Sequence, residues 1–135
     1  MNRIPHWGID VEGRPAIWLK GTEEVEVVGE VHHQAHLARV ASPVLQGERK
    51  MDAAAWLVPE PPTQDGLSVS VWLSGGRVGV MSPRIATLWH PVLGQLGAHY
   101  GRPVACFARV IGRGGAPTDD EGNALAVRLF LPPPF

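Results

Sequence analysis

Three histidines lie close together near residue 33 and could bind a metal ion. His32 and His36 are four residues apart, which places two imidazoles on one face of a helix, as in many zinc sites. A hydrolytic site also needs a third ligand and a general base, and no glutamate lies between these two histidines. The competing interpretation is a solvated helix face with one packed histidine, His33. A metal-dependent hydrolase using His32 and His36 is therefore a remote alternative.

The other reactive residue types argue against an enzyme. Cys106 is the single cysteine and lies in an apolar segment, so we expect a small core residue in a protein of a reducing cytoplasm. The sequence contains no G-x-S-x-G elbow, no P-loop and no G-x-G-x-x-G motif. The run Gly112–Gly115 could hold a phosphate, but a hairpin loop explains it as well. We predict a non-enzyme without a cofactor.

Charge and aromatic content favour binding over catalysis. The net charge is −1, yet residues 66–118 contain no acidic residue and five arginines: Arg77, Arg84, Arg102, Arg109 and Arg113. Such a stretch could form a basic face for an anionic partner, or the arginines could be scattered over the surface. The chain also has five tryptophans. An exposed tryptophan can stack on a nucleobase, although tryptophans more often cover the edge of a core.

The elements that must position these residues are mostly strands. The chain has 135 residues, 16 of them glycine and 13 proline, which disfavours a helical bundle and suits short strands joined by turns. Alternating apolar residues predict seven strands: Arg14–Lys20, Glu24–Gly29, Ala53–Val58, Leu67–Leu73, Arg77–Met81, Val104–Ile111 and Ala124–Leu131. We expect one domain over residues 1–135, with a core at about 14–131 and a proline-rich tail at 132–135.

Helices are predicted only as insertions. His32–Ala41 has the spacing of a short helix, and Gly47–Asp52 is predicted as a polar loop. Ser82 and Pro83 open a second helical stretch, in which Pro91 predicts two short helices or one sharp kink. The whole is an α+β chain, mainly β: a small, partly open OB- or SH3-like barrel of six to seven strands. No membrane span or signal peptide is apparent, so we predict a cytoplasmic location.

Several short segments follow one another in a characteristic order. They are Gly29–Gln34 (GEVHHQ) after a Val-Val strand, Leu57–Pro61 with Asp65 before a strand, the hairpin arm Gly76–Arg84, and the closing strand Ala126–Leu131. This series resembles the HIRAN domain, a family found in helicase-like fork-remodelling proteins and in bacterial proteins. The chain is similar to a divergent bacterial member.

The resemblance implies an OB-like barrel with a pocket for the 3′ end of single-stranded DNA. His32 and His33 fall in the segment that stacks on bases, and Asp65 matches the aspartate of a turn that meets the terminal hydroxyl. Three arginines could supply contacts to phosphate: Arg84, Arg109 and Arg113. We therefore predict a nucleic-acid-binding module for single-stranded DNA or its 3′ end.

Substitutions in the same motifs support an alternative. Val31, Val80 and Pro83 stand where DNA-binding members of the family carry basic residues or histidine. This pattern favours a protein-interaction or structural module that kept the barrel and lost the DNA pocket. Its partner would be a protein, and neither hypothesis involves a membrane.

Overall fold

The structure, a computed structural model, describes residues 4–112 and 125–134. Its strands are β1 His6–Val11, β2 Arg14–Leu19, β3 Glu23–Val28, β4 Lys50–Pro59, β5 Val69–Leu73, β6 Gly76–Met81, β7 Val104–Gly112 and β8 Leu125–Leu131. Its helices are a 3₁₀ helix at Glu30–His33, α1 Gln34–Val40, α2 Ser42–Leu45 and α3 Pro83–Tyr100.

Six antiparallel strands close into a barrel in the order β7, β4, β5, β6, β3 and β8, with β8 paired back onto β7. The register divides β7 into two parts. Its first part, Val104–Cys106, pairs with β2 in parallel, whereas Phe107–Gly112 pairs with β8. β7 therefore closes the barrel and also holds the β1–β2 hairpin. The predicted small barrel of six to seven strands with helical insertions is confirmed, with six strands in the barrel and two beside it. The barrel is closed by the pairing of β8 with β7, so the expectation that it is partly open is wrong.

Alternation along the strands decides which side chains fill the barrel. In β5, for example, Val69, Val71 and Leu73 are fully buried on the inner face. Leu37 of α1 and Trp89 of α3 join the same core. Burial of apolar surface contributes about 25 cal/mol per Å², so this core is the main support of the fold.

The long helix α3 corrects one prediction. Pro91 lies inside a single helix, Pro83–Tyr100, and the expected pair of short helices is wrong. Both Pro91 and Thr87, four residues earlier, are exposed, so water can reach the carbonyl group that loses its partner. The buried face of Ala86, Trp89 and Leu93 holds the two halves together. Among the described residues, no helix has the length and apolar character to cross a bilayer.

Two strand boundaries also differ from the prediction. β1 was not predicted at all, and it lies at one end of the strand order. The predicted loop Gly47–Asp52 is wrong in its second half, because β4 begins at Lys50. Met51 and Ala53 pack against the core, while Asp52 between them is exposed and paired with Arg109 of β7, so the alternation of β4 continues into this polar stretch.

Candidate nucleic-acid interface

Four tryptophans form a row across the outer face of the sheet. Trp7 lies opposite Trp18, which lies opposite Ala105. Ala105 in turn lies opposite Trp56, and Trp56 lies opposite Trp72. Directly opposed residues point to the same side of a sheet, so these side chains all share the face that points away from the barrel core. The row runs over five strands, β1, β2, β7, β4 and β5.

The middle of this row is structural. Trp56 is 7% exposed and packs with Val11, Ala16 and Ala105 in a second, smaller hydrophobic cluster. The Arg14 guanidinium lies 5.3 Å from the centre of the Trp56 ring and covers it. These contacts leave the ring of Trp56 little surface for a ligand.

The end of the row at β1 and β2 is open. Trp7 is 40% exposed, and the Lys20 ammonium lies 5.5 Å from the centre of its ring. A groove of about 610 Å³ begins here. Its lining combines aromatic rings with two cations: Trp7, Trp18, Lys20, Phe107, Arg109 and Phe130. We call these six residues the aromatic groove.

Arg109 connects the two phenylalanines of the aromatic groove. Its guanidinium lies 5.6 Å from the centre of the Phe107 ring and 5.2 Å from that of Phe130. The two rings are themselves 5.4 Å apart. Arg109 Nε also donates a hydrogen bond of 2.9 Å to Asp52 Oδ1, which compensates part of its charge. The arginine is therefore held in place beside two ring faces.

Lys20 and Arg128 differ in how far their charges are compensated. Arg128 Nη2 lies 3.6 Å from Glu26 Oε1, and Arg128 Nε lies 3.8 Å from Glu24 Oε1. Lys20 forms no ion pair with any carboxylate among the described residues. Since Arg109, the other cation of the groove, is paired with Asp52, Lys20 is the groove cation most available to an anionic ligand.

The predicted histidines lie in a different place. His32 is exposed and His33 half-buried in the 3₁₀ helix, which packs against β6 and β8. Partial burial, then the charges of Arg77 and of the neighbouring histidines, lower the pKa of His33 from its ordinary value. His36 Nε2 lies 2.7 Å from the Leu73 carbonyl oxygen and is engaged there. The described residues contain no group of three side chains able to hold a metal ion.

Side chains of the motif Gly29–Gln34 replace a missing strand pairing. β3 leaves β8 after Glu26 and pairs with β6 at Val27 and Val28. Glu30 is 3% exposed, and its Oε2 accepts a hydrogen bond of 3.1 Å from the Val127 N–H. Gln34 both donates to the Leu125 carbonyl oxygen, at 3.0 Å, and accepts from its N–H, at 3.1 Å. The motif therefore completes the edge of β8.

The other predicted residues lie on separate elements. Asp65 is exposed in a turn, where its N–H donates to Thr63 Oγ1 at 3.2 Å. Arg84 is exposed in the first turn of α3, which follows the end of β6. His33, by contrast, lies near Arg77, at the start of β6. The strand from Arg77 to Met81 spans about 13 Å. Arg113 lies outside the described residues. Of the five predicted site residues that the structure describes, Arg109 alone lines the aromatic groove.

Sequence reasoning missed most of the groove. The signal was present as alternating pairs two residues apart, namely Trp18 with Lys20 and Phe107 with Arg109. These two pairs of residues lie side by side because β2 pairs in parallel with β7, and no local sequence pattern predicts that pairing. Cys106 is fully buried, so it is a small core residue as predicted, and burial raises the pKa of its thiol.

Comparisons with known proteins assign no function to this groove. No protein-family model matches the chain, and no curated protein or solved structure gives a significant match. The HIRAN resemblance accordingly stays a prediction.

Proposed function

We propose that this chain is a non-catalytic module that binds single-stranded DNA on the aromatic groove. The observation that carries the proposal is the groove itself: four aromatic side chains line one groove on the outer face of the barrel, together with Lys20 and Arg109. Aromatic faces take up bases, and flanking cations meet the backbone phosphates, which is how single strands are bound without reading their sequence. The predicted localisation in the cytoplasm is part of this proposal.

The chemistry of the groove favours a single strand over a duplex. Bases in a duplex are stacked on each other, so their faces cannot lie on Trp7 or Phe130. Among the residues that the structure describes, the groove has two cations, and Glu24 and Glu26 lie on the same outer face. A duplex-binding surface depends on many phosphate contacts, and the two cations of the groove supply few.

The HIRAN resemblance adds a narrower proposal. If the chain is a divergent HIRAN domain, its preference for a free 3′ end would come from His32, His33 and Asp65. These residues are separate from the aromatic groove, so the two proposals make different demands on mutants. Loss of 3′-end preference with retained affinity on mutation of these residues would assign the end to His32, His33 and Asp65, and the strand to the groove.

Fluorescence anisotropy with a short labelled oligothymidine tests the proposal. We expect binding that weakens from about 50 to 200 mM salt, and weaker binding of a blunt duplex. Oligonucleotides with a free 3′-hydroxyl and with a 3′-phosphate test the narrower proposal. Absence of binding to any single strand at low salt would contradict the function.

Trp7→Ala is the decisive variant. Loss of one stacking partner should raise the Kd about 5- to 150-fold, because stacking contributes about 1–3 kcal/mol per base. Leu45→Ala is the matched control, since Leu45 is also a large exposed apolar side chain, 52% exposed, but lies on α2. Equal effects of both variants would show that general surface hydrophobicity, and not the groove, carries the binding.

A protein-interaction module is the second candidate function, and one observation favours it. A cavity of about 1120 Å³ lies between the N-terminal segment and α3. Its lining is mainly apolar and includes the exposed side chains of Leu88 and Tyr100. If single strands do not bind, affinity capture from the native host with a Leu88→Glu control is the next measurement. A protein retained by the wild type and released by the variant would support this function.

A further inference from the structure

The outer edge of β1 is unpaired within the described residues. β1 lies at the end of the strand order and pairs with β2 alone. A two-residue turn, Glu12 and Gly13, joins the two strands, and both residues have positive φ, at 52° and 79°. Such a turn makes Val11 and Arg14 a hydrogen-bonded pair. This pairing determines the direction of every backbone group in β1.

The backbone groups of β1 alternate between β2 and the free edge. Lys20 N–H donates to the Pro5 carbonyl oxygen at 3.1 Å, in phase with the pair Val11 and Arg14. The odd-numbered residues of β1 therefore bond to β2. The N–H and C=O groups of His6, Gly8 and Asp10 point to the open edge. An edge of this kind is a template for another strand.

We propose that a second copy of this chain pairs its β1 with this edge, antiparallel, about a twofold axis at Gly8. In this register His6 lies opposite Asp10 of the second copy, and Gly8 lies opposite Gly8. The backbone groups of these three residues all point to the free edge, so each residue exchanges backbone hydrogen bonds with the residue opposite it. The interface is self-complementary, as twofold symmetry requires.

Charge favours this register over the two registers whose axis passes through Asp10 or His6. An axis at Asp10 would place two carboxylates opposite each other, and an axis at His6 would leave Asp10 without a partner. With the axis at Gly8, each carboxylate instead lies opposite His6. The ring nitrogens of His6 are engaged within their own chain by the Ile4 carbonyl oxygen and the Tyr100 hydroxyl. The Arg102 guanidinium also lies beside Gly8, where a β-carbon would be 2.7 Å from its Nη1. Each Asp10 is then one diagonal position away from an arginine of the other copy.

The apolar residues of β1 fit the same register. Trp7 and Ile9 alternate along β1 with His6, Gly8 and Asp10. The side chains of Trp7 and Ile9 lie on the face of the sheet that carries the aromatic groove. About the axis at Gly8, Trp7 lies opposite Ile9 of the second copy, so these two apolar side chains become neighbours across the two strands. A twofold axis perpendicular to the sheet places the two aromatic grooves on one side. The meaning of this arrangement for DNA binding rests on the proposed function, whereas the pairing of the two β1 strands does not.

The oligomeric state of the protein without DNA tests the proposal. Sedimentation equilibrium should show a dimer for the wild type and a monomer for Asp10→Lys, which places a lysine on the edge. Glu48→Lys makes the same change of charge at an exposed loop position and should remain a dimer. A monomeric wild type, or an Asp10→Lys protein that is folded by circular dichroism and still dimeric, would overturn the proposal.

Cysteine cross-linking tests the register separately. Opposed residues of a hydrogen-bonded pair have Cα atoms about 5.5 Å apart, within disulfide range. Gly8→Cys should therefore form a covalent dimer on mild oxidation, and the guanidinium end of Arg102 can move aside. Asp10→Cys should not, because its two copies are about 14 Å apart along the strands. Cross-linking of Asp10→Cys but not of Gly8→Cys would refute this register. The wild type is the blank, since its one cysteine, Cys106, is buried.

Discussion

The histidine segment and the aromatic groove are built in opposite ways. The segment is continuous in sequence, Gly29–His36, and most of its polar side chains serve the fold: Glu30 and Gln34 bind the backbone of β8, and His36 reaches the carbonyl group of Leu73. The groove is discontinuous, with residues from four strands, and its rings and cations face outward. A dense polar motif can thus be structural, while a candidate binding surface is dispersed along the chain.

The comparison predicts two classes of variant. Changes in the histidine segment should alter the free energy of unfolding more than DNA binding, and changes in the groove should do the reverse. The following variants test this division, beginning with the largest expected effect.

Glu30→Ala should destabilise the fold most. The substitution leaves the buried N–H of Val127 without its carboxylate acceptor, which costs about 3 kcal/mol when the lost partner is charged. Urea unfolding measures the change, and Glu23→Ala, at an exposed position, is the control. DNA affinity per folded molecule should be unchanged. A stable Glu30→Ala protein with reduced affinity would place Glu30 in the binding site.

Gly76→Ala should destabilise by about 1–3 kcal/mol, the usual cost of overpacking. The His36 ring occupies the place that a β-carbon at residue 76 would need. Gly94→Ala is the matched control, because a β-carbon there meets nothing within 4 Å and alanine is the better helix former. The control should be neutral or stabilising. A Gly76→Ala protein as stable as the wild type would mean that His36 is free to move, contrary to its role as a packing residue.

Lys20→Ala should change binding and leave stability almost unchanged. Loss of one phosphate contact should raise the Kd several-fold and reduce the salt slope by about 0.7. Lys50→Ala removes the same charge at an exposed position at the start of β4, outside the aromatic groove. Anisotropy titrations at several salt concentrations compare the two. Identical slopes for both variants would assign the salt dependence to net charge instead of the groove.

Local pattern predicted most of the strands, but it did not predict most of the aromatic groove. The alternation of Val69, Val71 and Leu73 is a short-range signal, and the structure confirms the strand and its inner face. The groove depends on long-range register: Trp18 meets Ala105 because β2 lies parallel to β7. β1 was missed although Trp7, Ile9 and Val11 alternate, because the strand is short and lies at an edge. Pairing between distant strands is the information that the sequence pattern does not contain.

The smallest expected effect concerns His33 and pH. Partial burial, and after it the Arg77 charge, lower the pKa of His33 in the folded state below the value near 6.5 of an ordinary histidine. The unfolded chain therefore binds more protons between these two values, so stability falls as the pH is lowered through 6.5 towards the folded-state pKa. His33→Gln should remove this part of the pH dependence, and Arg77→Gln should reduce it by less, because burial is the larger cause.

Urea midpoints at several pH values between about 5 and 8 compare the wild type with both variants. The His33→Gln curve should differ from the wild type below pH 6.5 and run parallel to it above. DNA affinity at pH 8 should be the same for the wild type and for His33→Gln, if the histidine segment serves the fold alone. Loss of affinity at pH 8 in a stable His33→Gln protein would instead support a direct role of His33 at the DNA, as the HIRAN resemblance implies, and would end the division between the two regions.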